Sequence, residues 1–267
     1  MHYGGYPCRM EEISALCRRY GVALIEDACH AVGARYQGFQ EKAPQGKMAG
    51  TIGDLGCFSF FSNKNLAIGE GGMVVTNSGE LAKRVRLLRS HGMSSLTWDR
   101  HRGHASSYDV LTHGYNYRLD EIRAALGRVQ LQKLERNNAW RRELVKLYRE
   151  RLGALEDWTI PFSEYGGDSA YHLMVAVAPN QEERTRVATL LREAQIQTSM
   201  HYPLVPAFAA FRDGRAPASA TPDAVTDLDQ SIAFAQHALT LPLSSSMTVR
   251  QVEEVSAVML EQVEVAR

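Results

Sequence analysis

The segment from Arg9 to His30 constrains the fold more than any other part of the chain. Met10, Ile13, Leu16, Cys17 and Tyr20 recur at helical spacing, and Gly21 follows where a left-handed residue would stop the helix. Directly after it comes a short apolar run, VALIE at 22–26, which ends abruptly in Asp27. An amphipathic helix feeding a buried strand is the rhythm of an α/β domain. CFSFF at 57–61 and MVVT at 73–76 read as two further strands. The SNKNLAIGEGG between them carries Gly69, Gly71 and Gly72, which mark a tight backbone reversal. Helix returns over 78–91, with Leu81, Val85 and Leu88 facing inward and Gly92 as the stop.

Residues 92–118 form a long irregular stretch, a kind of connection that is usually functional or disordered, and its aromatic and histidine content argues against simple disorder. A helix is expected from Asp120 to Arg136, with Ile122, Ala125, Leu126 and Val129 on its buried side. A second helical pattern, Trp140 to Leu155, follows across Asn137 and Asn138. The boundary between a large domain, 1–137, and a small α+β domain, 138–267, is placed there. In the small domain HLMVAVA at 172–178 and IQTSMHY at 196–202 read as strands, and residues 212–222 as a loop. Asn180 with Glu183, and Thr248 with Gln251, read as helix caps. The last helix turns Val252, Val255, Met259 and Val263 inward, and Trp140 and Tyr148 are expected in the core.

Charge removes several functional classes. The chain has 30 Lys and Arg against 30 Asp and Glu, so no basic excess exists to displace counterions from nucleic-acid phosphates. An apolar share of 45% excludes a disordered chain. No apolar run approaches the ~20 residues that span a bilayer. MHYGGYPCRM lacks the cationic start and apolar stretch of a secretory signal. Cys8, Cys17, Cys29 and Cys57 fall at no CxxC spacing and read as reduced thiols, so a cytoplasmic protein is expected.

Two strand ends could carry chemistry, because open α/β sheets bind ligands at the carboxyl ends of their strands. Asp27 closes one apolar run. It either caps the next segment or is held as a carboxylate for a buried cation, such as a protonated ring nitrogen. Lys64 follows the other strand within Ser59-Phe60-Phe61-Ser62-Asn63-Lys64-Asn65-Leu66 and the GEGG turn at 69–72. A lone lysine is ordinarily a solvated surface residue. Burial at a pocket edge would lower its pKa and free its amine as a nucleophile toward carbonyls.

FSFFSNKNLAIGEGG at 58–72 resembles the lysine segment of the DegT/DnrJ/EryC1/StrS sugar aminotransferases, pyridoxal-phosphate (PLP) enzymes of aspartate-aminotransferase-like fold. IEDACHA at 25–31 resembles their strand-end aspartate motif, GYNYRLDEIRAALG at 114–127 a third signature, and HYP at 201–203 and LPL at 241–243 their C-terminal domain. The resemblance implies a fold type I PLP enzyme: an α/β large domain with a mainly parallel sheet, and a small C-terminal α+β domain. It matches Lys64 to the Schiff-base lysine and Asp27 to the aspartate that pairs with the pyridinium nitrogen. It matches His30 to a residue near the cofactor ring and Ser59 to a serine that bonds the cofactor phosphate. Asn116 matches an asparagine that reaches the phosphate site of the neighbouring subunit, so a homodimer with shared active sites is implied. Arg118 matches a nearby arginine, with an ion pair to Asp120 or Glu121 as the equal alternative.

The implied reaction transfers an amino group from an amino acid, with glutamate expected, to a keto sugar carried on a nucleotide. The resemblance covers only about the last two-thirds of such an enzyme. The glycine-containing phosphate loop and the residue stacking on the ring are therefore expected to be missing, and a catalytically silent fragment or non-catalytic partner subunit stands as the second reading. A dehydratase relative would carry histidine in place of Lys64. No metal site is expected: His101, His104 and Asp99 lie in a loop without further ligands. Arg100 and Arg102 beside Trp98 read equally as a diphosphate contact or a solvated loop, and His201 with Tyr202 as a site residue or a strand end.

Overall fold

The structure is a computed structural model that describes residues 1–37, 46–94, 107–212 and 228–264. It divides into two compact units, Met1–Asn138 with Gly166–His172, and Ala139–Tyr165 with Leu173–Arg267. Trp98, Asp99, Arg100, Arg102, His101 and His104 lie outside the described residues, as does most of the loop expected at 212–222.

In the first unit, α1 (Met10–Tyr20) ends at Gly21, whose φ of 63° is left-handed. Met10 is buried, whereas Leu16 and Tyr20 are exposed. β1 (Ile25–Asp27) lies parallel to β2 (Leu55–Ser59) with Asp27 opposite Cys57. β3 (Gly72–Val75) returns antiparallel to β2 with Gly72 opposite Ser59. The described sheet thus has one parallel and one antiparallel pairing. A link that contains no crossover helix brings a strand back antiparallel. That link is pinned by Phe60 N–H to Gly71 O at 2.9 Å and Ile68 N–H to Phe60 O at 2.9 Å. Ser78 caps α2 (Gly79–Leu88), accepting the Leu81 N–H. Two apolar clusters form in this unit: Ala28, Ala31, Ala34, Ala49 and Ala170 in one, Phe60, Leu66, Ile68 and Leu134 in the other, with Phe58 packed against both.

The expected break at Asn137–Asn138 is absent, because α3 runs unbroken from Glu121 to Leu152. Asn138 does not cap a helix; its amide is engaged by Asn65 and by the Val32 carbonyl. The stripe expected to be buried is instead exposed, Ile122 at 84% with Leu126 and Val129 beside it, and Leu134 is the first buried residue of the helix. No described segment of the chain covers that face.

In the second unit, β4 (Met174–Val177) pairs antiparallel with β5 (Ala238–Leu241). The strand expected over 196–202 reduces to one bridge, Ser199 to Thr240. α4 (Gln181–Glu193) is capped by Asn180, which accepts the Glu183 N–H at 2.8 Å. α5 (Asp229–His237) leads into β5. α6 (Val249–Glu264) opens with the reciprocal bonds of a capping box, Thr248 N–H to Gln251 Oε1 at 2.9 Å and Gln251 N–H to Thr248 Oγ1 at 3.3 Å. Val252, Val255 and Met259 are buried; Val263 lies beyond the described side chains. Tyr148 is buried as expected and donates to Pro242 O, but Trp140 is partly exposed and donates its indole N–H to Met247 O.

Candidate active site

A strand of three residues puts neighbouring side chains on opposite faces, so Glu26 and Asp27 meet different surroundings. Asp27 is half-buried at the carboxyl end of β1, and its Oδ1 accepts the Cys29 N–H at 3.0 Å. That bond is the local turn a capping residue would make. Burial pushes the Asp27 carboxyl up, yet the Cys29 thiol and N–H and the nearby His30 outweigh it, and the group is held below its ordinary range. The carboxylate in turn adds to burial in pushing the Cys29 thiol up to about 12.

Lys64 sits on the turn after β2, where its N–H bonds Phe61 O at 3.0 Å. Its side chain is half-buried, and burial lowers the pKa of the amine, opposed by the charges of Cys29 and Asp27. The structure therefore brings Lys64 and Asp27 within electrostatic reach across the ends of two adjacent parallel strands. His30 is buried, takes the Gly4 N–H at its Nδ1 (3.4 Å), and lies with its ring centroid 4.3 Å from that of His172. Ser59 ends β2 with its Oγ accepting the Phe61 N–H at 3.3 Å, which leaves its hydroxyl proton free to be donated.

Asn116 is elsewhere: exposed, bridged through its backbone to Ser90, and joined to neither Asp27 nor Lys64 by any hydrogen bond among the described residues. Arg118 is exposed too, and Asp120 pairs with Arg123 instead. His201 belongs to the second unit, where its Nδ1 lies 3.0 Å from Thr240 Oγ1.

Sequence reasoning passed over two groups. Asn65 donates to Asn138 Oδ1 (2.8 Å) and Ala170 O (2.6 Å), and its Oδ1 lies 2.9 Å from His172 Nδ1. On the other face of β1, Glu26 pairs with His2 at 2.9 Å and accepts the N–H groups of Gly50, Ile52 and Gly53. Glu26 had a signal: an acid inside an apolar strand, on the face opposite its neighbour, needs buried donors. No group of three His, Cys, Asp or Glu among the described residues is placed to hold a metal ion. No described helix is long and apolar enough to cross a membrane.

A part-buried amine within electrostatic reach of a strand-end carboxylate, with a hydroxyl donor at the neighbouring strand end, suits PLP: an aldehyde, a basic ring nitrogen and a phosphate. The fold is that of the fold type I PLP-dependent aminotransferases. The structure aligns with Helicobacter pylori PseC, an aminotransferase involved in the biosynthesis of pseudoaminic acid, at a TM-score of 0.84 and 24% identity, over 99% of this chain and 66% of that one. It aligns with S. venezuelae DesV at 0.82 and 32% identity, over 98% of this chain and 64% of DesV. The spore coat polysaccharide biosynthesis protein SpsC of Bacillus subtilis is 33% identical over 260 residues, 96% of this chain and 63% of SpsC. The chain belongs to the DegT/DnrJ/EryC1/StrS aminotransferase family, whose sequence profile matches residues 1–260, and it spans a little under two thirds of the length of these relatives.

Proposed function

We propose that the chain carries the lysine-bearing part of a PLP-dependent aminotransferase site that converts a nucleotide-linked keto sugar to an amino sugar, with glutamate as donor. The observation that carries the reading is the half-buried Lys64 on the turn after β2, within electrostatic reach of Asp27 at the end of the adjacent parallel strand β1. Family membership supports the reaction class, and the nucleotide and the donor are inferred from the family resemblance.

Lys64, Asp27, His30 and Ser59 would hold the cofactor. When bound, PLP supplies an electron sink for the charge left on the donor's α-carbon as its proton departs. Lys64 Nζ, made more available as a free amine by burial, would hold the cofactor through its aldehyde and would serve as the base that removes that proton. In the second half of the exchange it would deliver a proton to the carbon of the former sugar ketone. Asp27 would stabilise positive charge on the ring nitrogen. The Ser59 hydroxyl would donate to the phosphate, and the buried His30 would lie near the ring. Asn116, exposed on its own subunit, would reach the phosphate site of a partner subunit in a homodimer.

Borohydride reduction of the PLP-treated chain, followed by peptide mass spectrometry, tests the assignment. The label is expected on Lys64. Stable labelling at another lysine removes Lys64 from the role, and no label at all favours a non-catalytic chain.

A further inference from the structure

We infer that Asn65 and His172 are positioning residues for Lys64, clamping the lysine turn through a hydrogen-bond chain of fixed direction. The inference deepens the proposed role of Lys64 and rests on it. Direction follows from counting donors. Ala170 O and Val32 O are carbonyls and can only accept, so the nitrogen of Asn65 must face Ala170 and the nitrogen of Asn138 must face Val32. Asn138 Oδ1 is then left to accept the second Asn65 proton. With both Asn65 protons committed, its Oδ1 can only accept, and His172 must carry its proton on Nδ1 to donate there at 2.9 Å. The chain runs from His172 through Asn65 and Asn138 to Val32 without an ambiguous step.

The surroundings are built around this chain. Gly33 has a φ of +86°, and a Cβ there would lie 2.8 Å from Asn138 Nδ2. Gly5 has a φ of +97°, and a Cβ there would lie 2.9–3.1 Å from Tyr171 N, His172 N and His30 O. Both positions need glycine for conformation and for space. The His172 N–H is also bonded to Gly4 O at 2.9 Å, so the imidazole is held from its backbone as well as from its ring.

Asn65 follows Lys64 directly, so tethering its side-chain amide restrains the peptide that joins the two residues and, with it, the Cα from which the lysine side chain starts. An unclamped turn would let the amine swing toward water and lose the burial that lowers its pKa. His172 also lies against His30, so the same imidazole braces the lysine turn and the histidine beside it.

The test reads the pH profile of Lys64 modification by acetic anhydride in the cofactor-free chain, resolved by mass spectrometry, for wild type, Asn65→Ala, His172→Asn and His172→Phe. Asparagine offers an amide N–H where Nδ1 stood and keeps the bond to Asn65; phenylalanine keeps the ring and loses the donor. Asn65→Ala and His172→Phe should move the Lys64 midpoint upward, toward the range of exposed lysines, and His172→Asn should stay with wild type. Unchanged midpoints in Asn65→Ala and His172→Phe proteins of wild-type circular dichroism would overturn the inference. So would a His172→Asn shift as large as that of His172→Phe. If Asn65→Ala does not fold, the two His172 variants decide. The profile needs no cofactor, so PLP labelling at another lysine would sink the catalytic reading and leave this result standing.

Discussion

Replacing Glu26 with glutamine changes one atom and should be among the costliest substitutions in the first unit. Glu26 and His2 are both almost fully buried, at 3% and 1% exposure. His2 Nδ1 accepts the Cys8 N–H at 3.0 Å, so the ring donates from Nε2 to Glu26 Oε2. Gly50 N–H also meets Oε2, at 2.8 Å, while Ile52 and Gly53 N–H meet Oε1 at 2.6 and 2.5 Å. Four donors saturate the four lone-pair sites of a carboxylate. Glutamine has one acceptor oxygen, and in either flip its NH2 faces two donors that cannot turn away. Two charge-assisted bonds are lost at about 1.5–3 kcal/mol each, so the loss should be about 3–6 kcal/mol. That is a large part of the ~5–15 kcal/mol that holds a domain folded.

Urea unfolding of both proteins at pH 7 and pH 4, followed by circular dichroism, measures it. Burial raises the Glu26 carboxyl, but His2 and the three N–H groups outweigh it and hold the group below its usual range. A depressed carboxyl contributes stability above its unfolded pKa and loses it as pH falls through the folded one. Wild type should therefore lose this contribution as pH falls through the folded pKa of Glu26. A difference below ~1 kcal/mol at pH 7 would refute the reasoning.

Asp27→Asn should leave borohydride labelling of Lys64 intact while slowing amine transfer from glutamate to bound PLP about a hundredfold, since about 3 kcal/mol of charged pairing to the ring nitrogen is lost. Stopped-flow absorbance measures the half-reaction, and near-normal conversion would return Asp27 to the cap role its bond to the Cys29 N–H already fits. A Lys64→Ala chain and an Asn116→Ala chain, each impaired alone, should regain part of their activity when co-assembled, because one site of the mixed dimer receives both intact residues. Mixed dimers without recovered activity would confine Asn116 to its own subunit.

The parts of the site that were legible in the sequence lie within one element or its immediate sequel. Asp27 ends an apolar run and Lys64 follows one, so strand-end chemistry could be read from local pattern. Asn65 was in view beside Lys64, but its function depends on His172, 107 positions away, and no periodicity reports a bond of that span. Gly166–His172 joining the first unit was invisible for the same reason: its backbone bonds to Gly4 and Gly5 follow no pattern of side chains. The start of α3 makes a different point. Ile122, Leu126 and Val129 form as regular an apolar stripe as Val252, Val255 and Met259 in α6, yet the first is exposed and the second buried. Spacing states only that a helix face is better out of water; whether this chain's own residues are there to cover it is a property of the assembled fold. Asn138 illustrates the converse error. Two adjacent asparagines look like a break because asparagine ordinarily competes for the backbone with its side chain. Here that side chain is committed to Asn65 and Val32, and the helix runs through.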